Sequence, residues 1–208
     1  MNVKQTLIQS GLKRDELEGE REARQCQTLM ALFDACFRHS DNTVLIKGGD
    51  EPIYLPAGSS DDQVENGAVR DVHRVVFARG YASSALHEIA HWCIAGEARR
   101  QQVDYGYWYE PDGRSAEQQR WFESVEVKPQ ALEWVLSMAA NWSFAISADN
   151  LNGDAGDQAG FKRAVLRQVH QYCQAGLPAR AWRFRSQLVM QFGTAPDLHP
   201  HQFDLTFL

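Results

Sequence analysis

Hydrophobic residues recur at helical spacing in the first clearly patterned segment of the chain, which begins near residue 24. These positions lie three or four residues apart, so a helix would place them on one face and bury that face. They are Leu29, Leu32, Phe33, Cys36 and Phe37. The pattern predicts a helix that starts near residue 24 and packs against the rest of the protein.

Three short apolar runs follow this helix, and turn-forming residues separate them. The runs are TVLIKG at residues 43–48, PIYLP at residues 52–56 and HRVVFARG at residues 73–80. Each is rich in β-branched or aromatic residues, which is typical of strands. The polar, glycine-containing stretch at residues 58–71 predicts a loop between the second and third strands.

A helix is predicted over residues 82–99, directly after the third strand, with Ser83 or Ser84 as its N-cap. The aromatic run VDYGYWYEPDG at residues 103–113 is interrupted by a glycine and ends in a turn-like sequence. This run predicts an extended loop or a short strand.

The second half of the chain is predicted to be mainly helical. Ser115 and Gln118 have the spacing of a capping box, which indicates the start of a helix. Pro129 is expected either to kink that helix or to begin a new one that runs to about residue 142. Two further helices are predicted, over residues 157–175 and 179–192.

Strands that come early and helices that fill the remainder predict an α/β fold, in which helices cover a small sheet. A chain of 208 residues is long enough for a single domain with a substantial core. We expect one compact domain over residues 24–208. Residues 1–23 are charged and poorly periodic, so they are expected to form an N-terminal extension that is either helical or mobile.

The charge of the chain argues against a nucleic-acid-binding function, because the formal net charge is −6 and such proteins usually have a basic face. The N-terminus does not have the pattern of a signal peptide, and no apolar run approaches membrane-spanning length. Four scattered cysteines without a CxxC pair suggest reduced thiols. The chain is therefore expected to be cytoplasmic, with no membrane partner and no direct nucleic-acid partner.

The segment SALHEIAHWC contains the strongest chemical motif. His87 and His91 are four residues apart, so a helix would point both rings toward one metal ion, with Glu88 beside them. The alternative is a pair of core histidines without a ligand role. Burial of two imidazoles and a carboxylate without partners would be costly, so the metal site is the favoured interpretation.

A metal site of this kind needs a third protein ligand, and the segment WFESVEVKPQALEW offers three candidates. Glu126 is favoured because two valines flank it, which suggests a carboxylate in an apolar setting. Glu123 is expected to be a surface charge, and Glu133 is expected to be solvated.

The ligand set of two histidines and one glutamate does not identify the metal. Zinc peptidases use it with the glutamate of HExxH as the general base, which would be Glu88. Non-haem Fe(II) oxygenases use two histidines and one carboxylate on one face of the ion, which leaves positions for dioxygen and substrate. The HExxH spacing taken alone favours the peptidase.

Longer stretches favour the oxygenase. The strings IKGGDEPIYLPA, RVVFARGYASSALHEIAHWCIAGEARR, VDYGYWYEPDGR and FESVEVKPQALEW resemble the bacterial elongation factor P hydroxylase family. The resemblance extends from about residue 29 to residue 150 and is weaker over the C-terminal helices. The N-terminal segment and the loop between Pro56 and His73 are longer than expected for that family.

The resemblance implies a function and a set of site residues. Family members hydroxylate a β-lysylated lysine of elongation factor P, and their fold is similar to that of a small metal-dependent bacterial ribonuclease. It implies that His87, His91 and Glu126 bind the metal, which would be Fe(II), with zinc as the alternative, and that dioxygen is the co-substrate. Glu88 is expected either to orient a ligand or to accept a proton, and a zinc-dependent peptidase or ribonuclease remains the alternative function.

A lysine-derived substrate carries ammonium groups, which carboxylates and aromatic faces can hold. The candidate substrate-binding residues are Asp50, Glu51, Asp104, Tyr105, Tyr107, Trp108 and Asp149. The sequence contains no fingerprint of a nicotinamide or flavin site.

Overall fold

The computed structural model describes residues 3–59, 70–104, 114–147 and 158–208, with side chains described from Glu16 onward. Within these ranges the helices are α1 (Val3–Phe37), α2 (Ala82–Ile94), α3 (Ala116–Ala139), α4 (Gln158–Ala175) and α5 (Ala179–Phe192). The strands are β1 (Thr43–Lys47), β2 (Ile53–Leu55) and β3 (His73–Phe77). Short 3₁₀ helices lie at Arg99–Gln101, Pro200–Gln202 and Leu205–Phe207. The predicted α/β class, with helices around a small sheet, is confirmed.

The three predicted strands form one sheet in the order β1-β3-β2. β1 pairs with β3 in parallel, and β2 pairs with β3 in the antiparallel direction. The central strand β3 runs directly into α2 through a short turn in which Arg79 and Gly80 have positive φ angles. The sheet thereby fixes where the HExxH helix begins.

The main hydrophobic core lies between the sheet and the helices. Phe33 and Phe37 of α1 pack against Trp92 of α2 and Phe184 of α5, with ring centroids 4.7 to 6.3 Å apart. Such aromatic contacts bury a large apolar area and prefer the tilted and edge-on arrangements seen here. The predicted apolar face of the first helix is confirmed, because Leu29, Phe33 and Phe37 are fully buried.

The first helix is longer than its hydrophobic pattern indicated. α1 extends from Val3 to Phe37, so the charged N-terminal segment is continuous with the helix that enters the core. The glutamate Glu22, within that segment, accepts a hydrogen bond from the backbone N–H of Ala82, the first residue of α2. One side chain of the charged segment thus caps the start of α2.

The N-cap predicted for α2 was wrong, and so was its predicted C-terminus near residue 99. Tyr81 is at the N-cap position, and Ser84 instead accepts a hydrogen bond from the N–H of Ala78 at 3.1 Å. The helix ends at Ile94, where the guanidinium of Arg180 donates hydrogen bonds to the carbonyls of the last turn. A carboxylate at the N-terminus and a guanidinium at the C-terminus both complement the helix dipole.

The predicted capping box of α3 is confirmed: Ser115 accepts from the N–H of Gln118, whose side chain accepts from the N–H of Ser115. Pro129 lies inside a single continuous helix. None of the helices within the described ranges is long and apolar enough to cross a membrane. The four cysteines are free thiols.

Candidate metal centre

Helix α2 packs its small and apolar face on the sheet and on α1, which leaves its two histidines on the opposite side. Ala85, Leu86 and Ile89 are fully buried, whereas His87 and His91 are only partly covered. Because the two histidines are one helical turn apart, their rings lie together, with centroids 4.6 Å apart. The helix thus presents two imidazoles side by side.

Helix α3 faces these imidazoles with a row of buried polar side chains. The row repeats every three or four residues, so it follows one side of the helix. Its members are Gln119, Glu123, Glu126, Gln130, Glu133 and Ser137, all of them buried. A buried polar row of this kind needs partners, and α2 supplies some of them.

Three ligand atoms converge where the two helices meet. His87 Nε2 and His91 Nε2 are 2.9 Å apart, and the carboxylate oxygens of Glu126 lie 3.4 Å and 3.3 Å from them, respectively. Among the described residues, these three form the one group whose ligand atoms lie within 4.8 Å of one another as expected for a metal site. The structure therefore brings together the three residues that the sequence analysis selected.

The spacing fits a metal ion. With bonds of about 2.1 Å, two ligand atoms lie about 3.0 Å apart at a right angle and about 3.4 Å apart at a tetrahedral angle. The observed separations of 2.9 to 3.4 Å cover this range, so they suit either geometry. In addition, Oε2 of Glu126 is buried, and no described group makes a hydrogen bond to it. A bound cation would satisfy that oxygen.

The electrostatics of the centre favour a positive charge. Burial opposes protonation of His87, but its hydrogen bond to Glu133 and the charges of the neighbouring glutamates outweigh burial and raise its pKa to about 10. Burial alone would raise the pKa of Glu126, yet the charge and hydrogen bond of His91 lower it to about 2. The centre therefore attracts a cation, either a proton or a metal ion.

Glu133 has a role that the sequence analysis missed. It was expected to be solvated, but it is buried, and its Oε2 lies 2.8 Å from His87 Nδ1. This contact assigns the Nδ1 proton of neutral His87 to the bond with Glu133 and leaves the Nε2 lone pair free for a metal. The sequence did contain a signal for this position: Glu133 is two helical turns from Glu126, so the two residues lie on the same side of α3.

Glu123 is also buried, which corrects the expectation of a surface charge. Its carboxylate accepts a hydrogen bond of 3.0 Å from Gln119, within the polar row of α3. It does not belong to the group of three ligand atoms. The choice of Glu126 over Glu123 as the candidate ligand therefore agrees with the geometry, although the reason given for Glu123 was wrong.

A cleft of about 900 Å³ opens beside the three ligand residues. Its lining includes the ligand residues, Glu88 and Glu133, the α1 side chains Glu18 and Glu22, and residues 142–147 after α3. On the other side of α2, a small cavity of about 30 Å³ is lined by Glu88, His91, Tyr54 and Asp104, among others. Glu88 touches both spaces, and burial raises its pKa.

The predicted substrate-binding residues are only partly described. Asp104 forms an ion pair with Arg99 and lines the small cavity. Asp50 is exposed and pairs with Arg79 at 3.6 Å. Among the described residues that line the large cleft, Pro52 is present, whereas Asp50, Glu51 and Asp104 are not. The other candidates lie outside the described residues: Tyr105, Tyr107, Trp108 and Asp149.

Comparison with known proteins gives matches over most of the chain. Residues 32–203 match the sequence profile of a family described as Elongation factor P hydroxylase. The chain is also 54% identical over 180 residues to a protein of Haemophilus influenzae named Elongation factor P lysine hydroxylase. That alignment covers 86% of this chain and 96% of the relative.

Proposed function

We propose that this chain, which belongs to the elongation factor P hydroxylase family, is an Fe(II)-dependent enzyme that hydroxylates a β-lysylated lysine of elongation factor P. The observation that carries the proposal is the convergence of His87 Nε2, His91 Nε2 and the Glu126 carboxylate. Two histidines and one carboxylate are the ligand set of non-haem Fe(II) oxygenases. We place the reaction in the cytoplasm, with the translation factor as the protein partner.

In this proposal, iron(II) supplies the capacity to bind and reduce dioxygen, the co-substrate, which no amino-acid side chain can provide. His87, His91 and Glu126 would hold the ion. Glu133 holds the ring of His87 with Nε2 on the side of the other two ligand residues. Residues of α2 and α3 therefore act by fixing ligand positions, which is how the protein part of a metal site sets the chemistry.

The cleft fits a cationic side chain. Glu88 and Glu133 lie beside the ligands, and Glu18 and Glu22 lie on the α1 side of the same cleft. The described lining of the cleft has five glutamates and one arginine, Arg21, and this excess of carboxylates favours the ammonium groups of a lysine derivative. Tyr105, Tyr107, Trp108 and Asp149 remain candidate contacts by sequence position, together with Asp50, Glu51 and Asp104.

The alternative, a zinc-dependent hydrolase, gains no support from the family match. The two functions make different demands on Glu88. A hydrolase needs its carboxylate as general base, so Glu88→Gln would abolish hydrolysis. In the hydroxylase, Glu88 is proposed to orient a ligand or to accept a proton, and its replacement leaves the three metal ligands in place.

The test of the proposed function is the mass of elongation factor P from cells that carry ligand variants. His87→Ala, His91→Ala and Glu126→Ala are each expected to remove bound iron from anaerobically purified enzyme and to abolish the mass increase of one oxygen atom. The matched control is Glu117→Ala, because Glu117 is an exposed glutamate on the same helix as Glu126.

Folding of each variant is checked by circular dichroism, since a folded variant without activity isolates the metal site. Full hydroxylation by all three ligand variants would reject the proposed site. Cleavage of casein or structured RNA by the wild type, lost in Glu88→Gln, would instead support the hydrolase.

A further inference from the structure

The segment that follows α3 has the side-chain pattern of a strand, although it joins no sheet among the described residues. After Asn141, whose φ of 56° reverses the chain, exposure alternates along residues 142–147. Trp142, Phe144 and Ile146 are half-buried and pack on the hydrophobic core, whereas the residues between them are exposed. A period of two is the spacing of an extended strand with one buried face.

The two ends of this segment are fixed to α3, and its middle is not paired. The N–H of Trp142 donates to the carbonyl of Ser137 at 2.9 Å. At the other end, the side-chain oxygen of Gln130 accepts from the N–H of Ser147 at 3.0 Å, and its NH₂ group donates to the carbonyl of Ser147. A neighbouring strand would make the same pair of hydrogen bonds. Between them, within the described part of the chain, the backbone groups of residues 143–146 make no hydrogen bond.

The segment lies next to the candidate metal centre. Residues 142–147 line the cleft that contains His87, Glu126 and Glu133. Gln130, which fixes the segment at Ser147, is one helical turn from Glu126 and one turn from Glu133 on the polar side of α3. An unpaired extended backbone therefore runs along one wall of the cleft.

We propose that residues 143–146 are a docking edge, along which the extended backbone of elongation factor P on one side of the target lysine pairs by β-strand addition. This inference rests on the proposed function, because only a protein substrate brings a backbone to the cleft. Unpaired strand edges are the usual templates for such pairing, in which main-chain hydrogen bonds give affinity.

Two features favour this occupant. The outward side chains of the edge, Ser143 and Ala145, are small, so another backbone can approach closely. The cleft beyond the edge is lined by more glutamates than basic side chains, which suits a cationic side chain. A lysine presented from a paired backbone would thus be drawn toward the metal centre.

Hydrogen–deuterium exchange tests the proposal without any turnover. The full chain is loaded with Zn(II), which does not reduce dioxygen, and is mixed with elongation factor P that carries the lysylated residue. The amides of residues 143–146 are expected to exchange roughly tenfold more slowly in the complex, because new hydrogen bonds protect them. The α5 peptide 179–192 does not line the cleft and serves as the internal control.

The outcomes separate this proposal from the proposed function. Slower amide exchange in α2 and α3 around the metal centre, without slower exchange in residues 143–146, would overturn the docking edge. The proposed hydroxylase function would not be affected by that result. An absence of protection throughout the chain would mean that the two proteins form no complex, and it would overturn both.

Backbone variants give a second, independent measurement. Adjacent N–H groups of an extended chain point to opposite edges, so Ala145→Pro and Ile146→Pro together remove a donor from each edge. Each is compared with a variant that keeps the N–H, Ala145→Gly or Ile146→Ala. At least one proline variant is expected to have a KM for elongation factor P roughly three- to tenfold above that of its partner. Folded proline variants with KM values equal to those of their partners would contradict the proposal.

Discussion

At the scale of single residues, the metal centre depends on which nitrogen of His87 carries a proton. The 2.8 Å contact between Nδ1 and Glu133 makes Nδ1 a donor, so when the ring gives up its other proton the lone pair is on Nε2, on the side of His91 and Glu126. A histidine that binds metal through one nitrogen commonly donates its other N–H to a carboxylate or carbonyl, which fixes the ring and raises its basicity. Glu133 therefore acts through His87.

We predict that Glu133→Ala weakens metal binding by about 10- to 100-fold, the usual effect of losing such an outer partner. Glu133→Gln should recover part of the affinity, because the amide oxygen can still accept the Nδ1 proton of His87. Competition with a chromophoric chelator, using Zn(II) and Co(II), measures both affinities. Glu117→Ala is the control on the same helix.

A purely structural role for Glu133 would give a different result. If Glu133 only filled space in the cleft, both variants would bind metal like the wild type. The nitrogen NMR shifts of metal-bound His87 would then report the same tautomer in all three proteins. Equal metal affinity of wild type and Glu133→Ala would therefore contradict the prediction.

The site residues that sequence reasoning missed are polar groups that face the interior. The spacing of four residues in HExxH identified His87 and His91, and the two flanking valines identified Glu126. Glu123 and Glu133 were expected in solvent, since a row of glutamates and glutamines on a helix usually indicates an exposed face. Glu126 and Glu133 are buried opposite the imidazoles of α2, and Glu123 is buried beside Gln119, so these partners are recognisable only in three dimensions.

At the scale of elements, α2 is stabilised at both ends by helices far away in the chain. Glu22 of α1 accepts the first N–H, and Arg180 of α5 donates to the carbonyls of Trp92, Cys93 and Ala95. These contacts satisfy terminal groups that the helix cannot pair by itself. The helix that carries both histidines is thereby fixed relative to the core.

We predict that Glu22→Ala lowers the free energy of unfolding by about 1 kcal/mol, as for the loss of a helix cap. For a chain of this size the melting temperature should fall by roughly 2 to 4 °C. Thermal denaturation followed by circular dichroism measures the change. The matched control is Glu16→Ala, since Glu16 is an exposed glutamate of the same helix, and an equal effect of both substitutions would refute the capping role.

The elements themselves were more predictable than their ends. Apolar runs of five or so residues located all three strands, because strand formation here follows local composition and burial. The bounds of α5 and the capping box of α3 were also found, since local residues determine them. The start of α2 at Ala82 was predicted correctly, but the group that caps it was not, because that group is a side chain sixty residues earlier in the chain. The start of α1 was left open, since the charged segment before residue 24 has no apolar period that would mark where a helix begins.

At the scale of the whole molecule, the metal centre lies beside the hydrophobic core, because Leu86 belongs to that core and also lines the cleft that contains the three candidate ligands. In the metal-free protein, Glu126 and Glu133 lie beside His87, whose pKa of about 10 keeps it positively charged at neutral pH. Opposite charges therefore compensate one another, so we expect the domain to fold without an ion.

We predict that removal of metal with EDTA leaves the domain folded, with an unchanged helical signal and a cooperative melting transition. Return of Zn(II) at about 100 times its Kd should stabilise the protein by about 2.7 kcal/mol and raise the melting temperature by roughly 5 to 10 °C. His91→Ala, which lacks one ligand, should show little of this increase.

A metal site that contributes the folding energy itself would behave differently, because chelation would then abolish the helical signal. Unfolding on chelation would thus identify the ion as structural, whereas a folded metal-free domain agrees with a centre whose open positions serve a reaction.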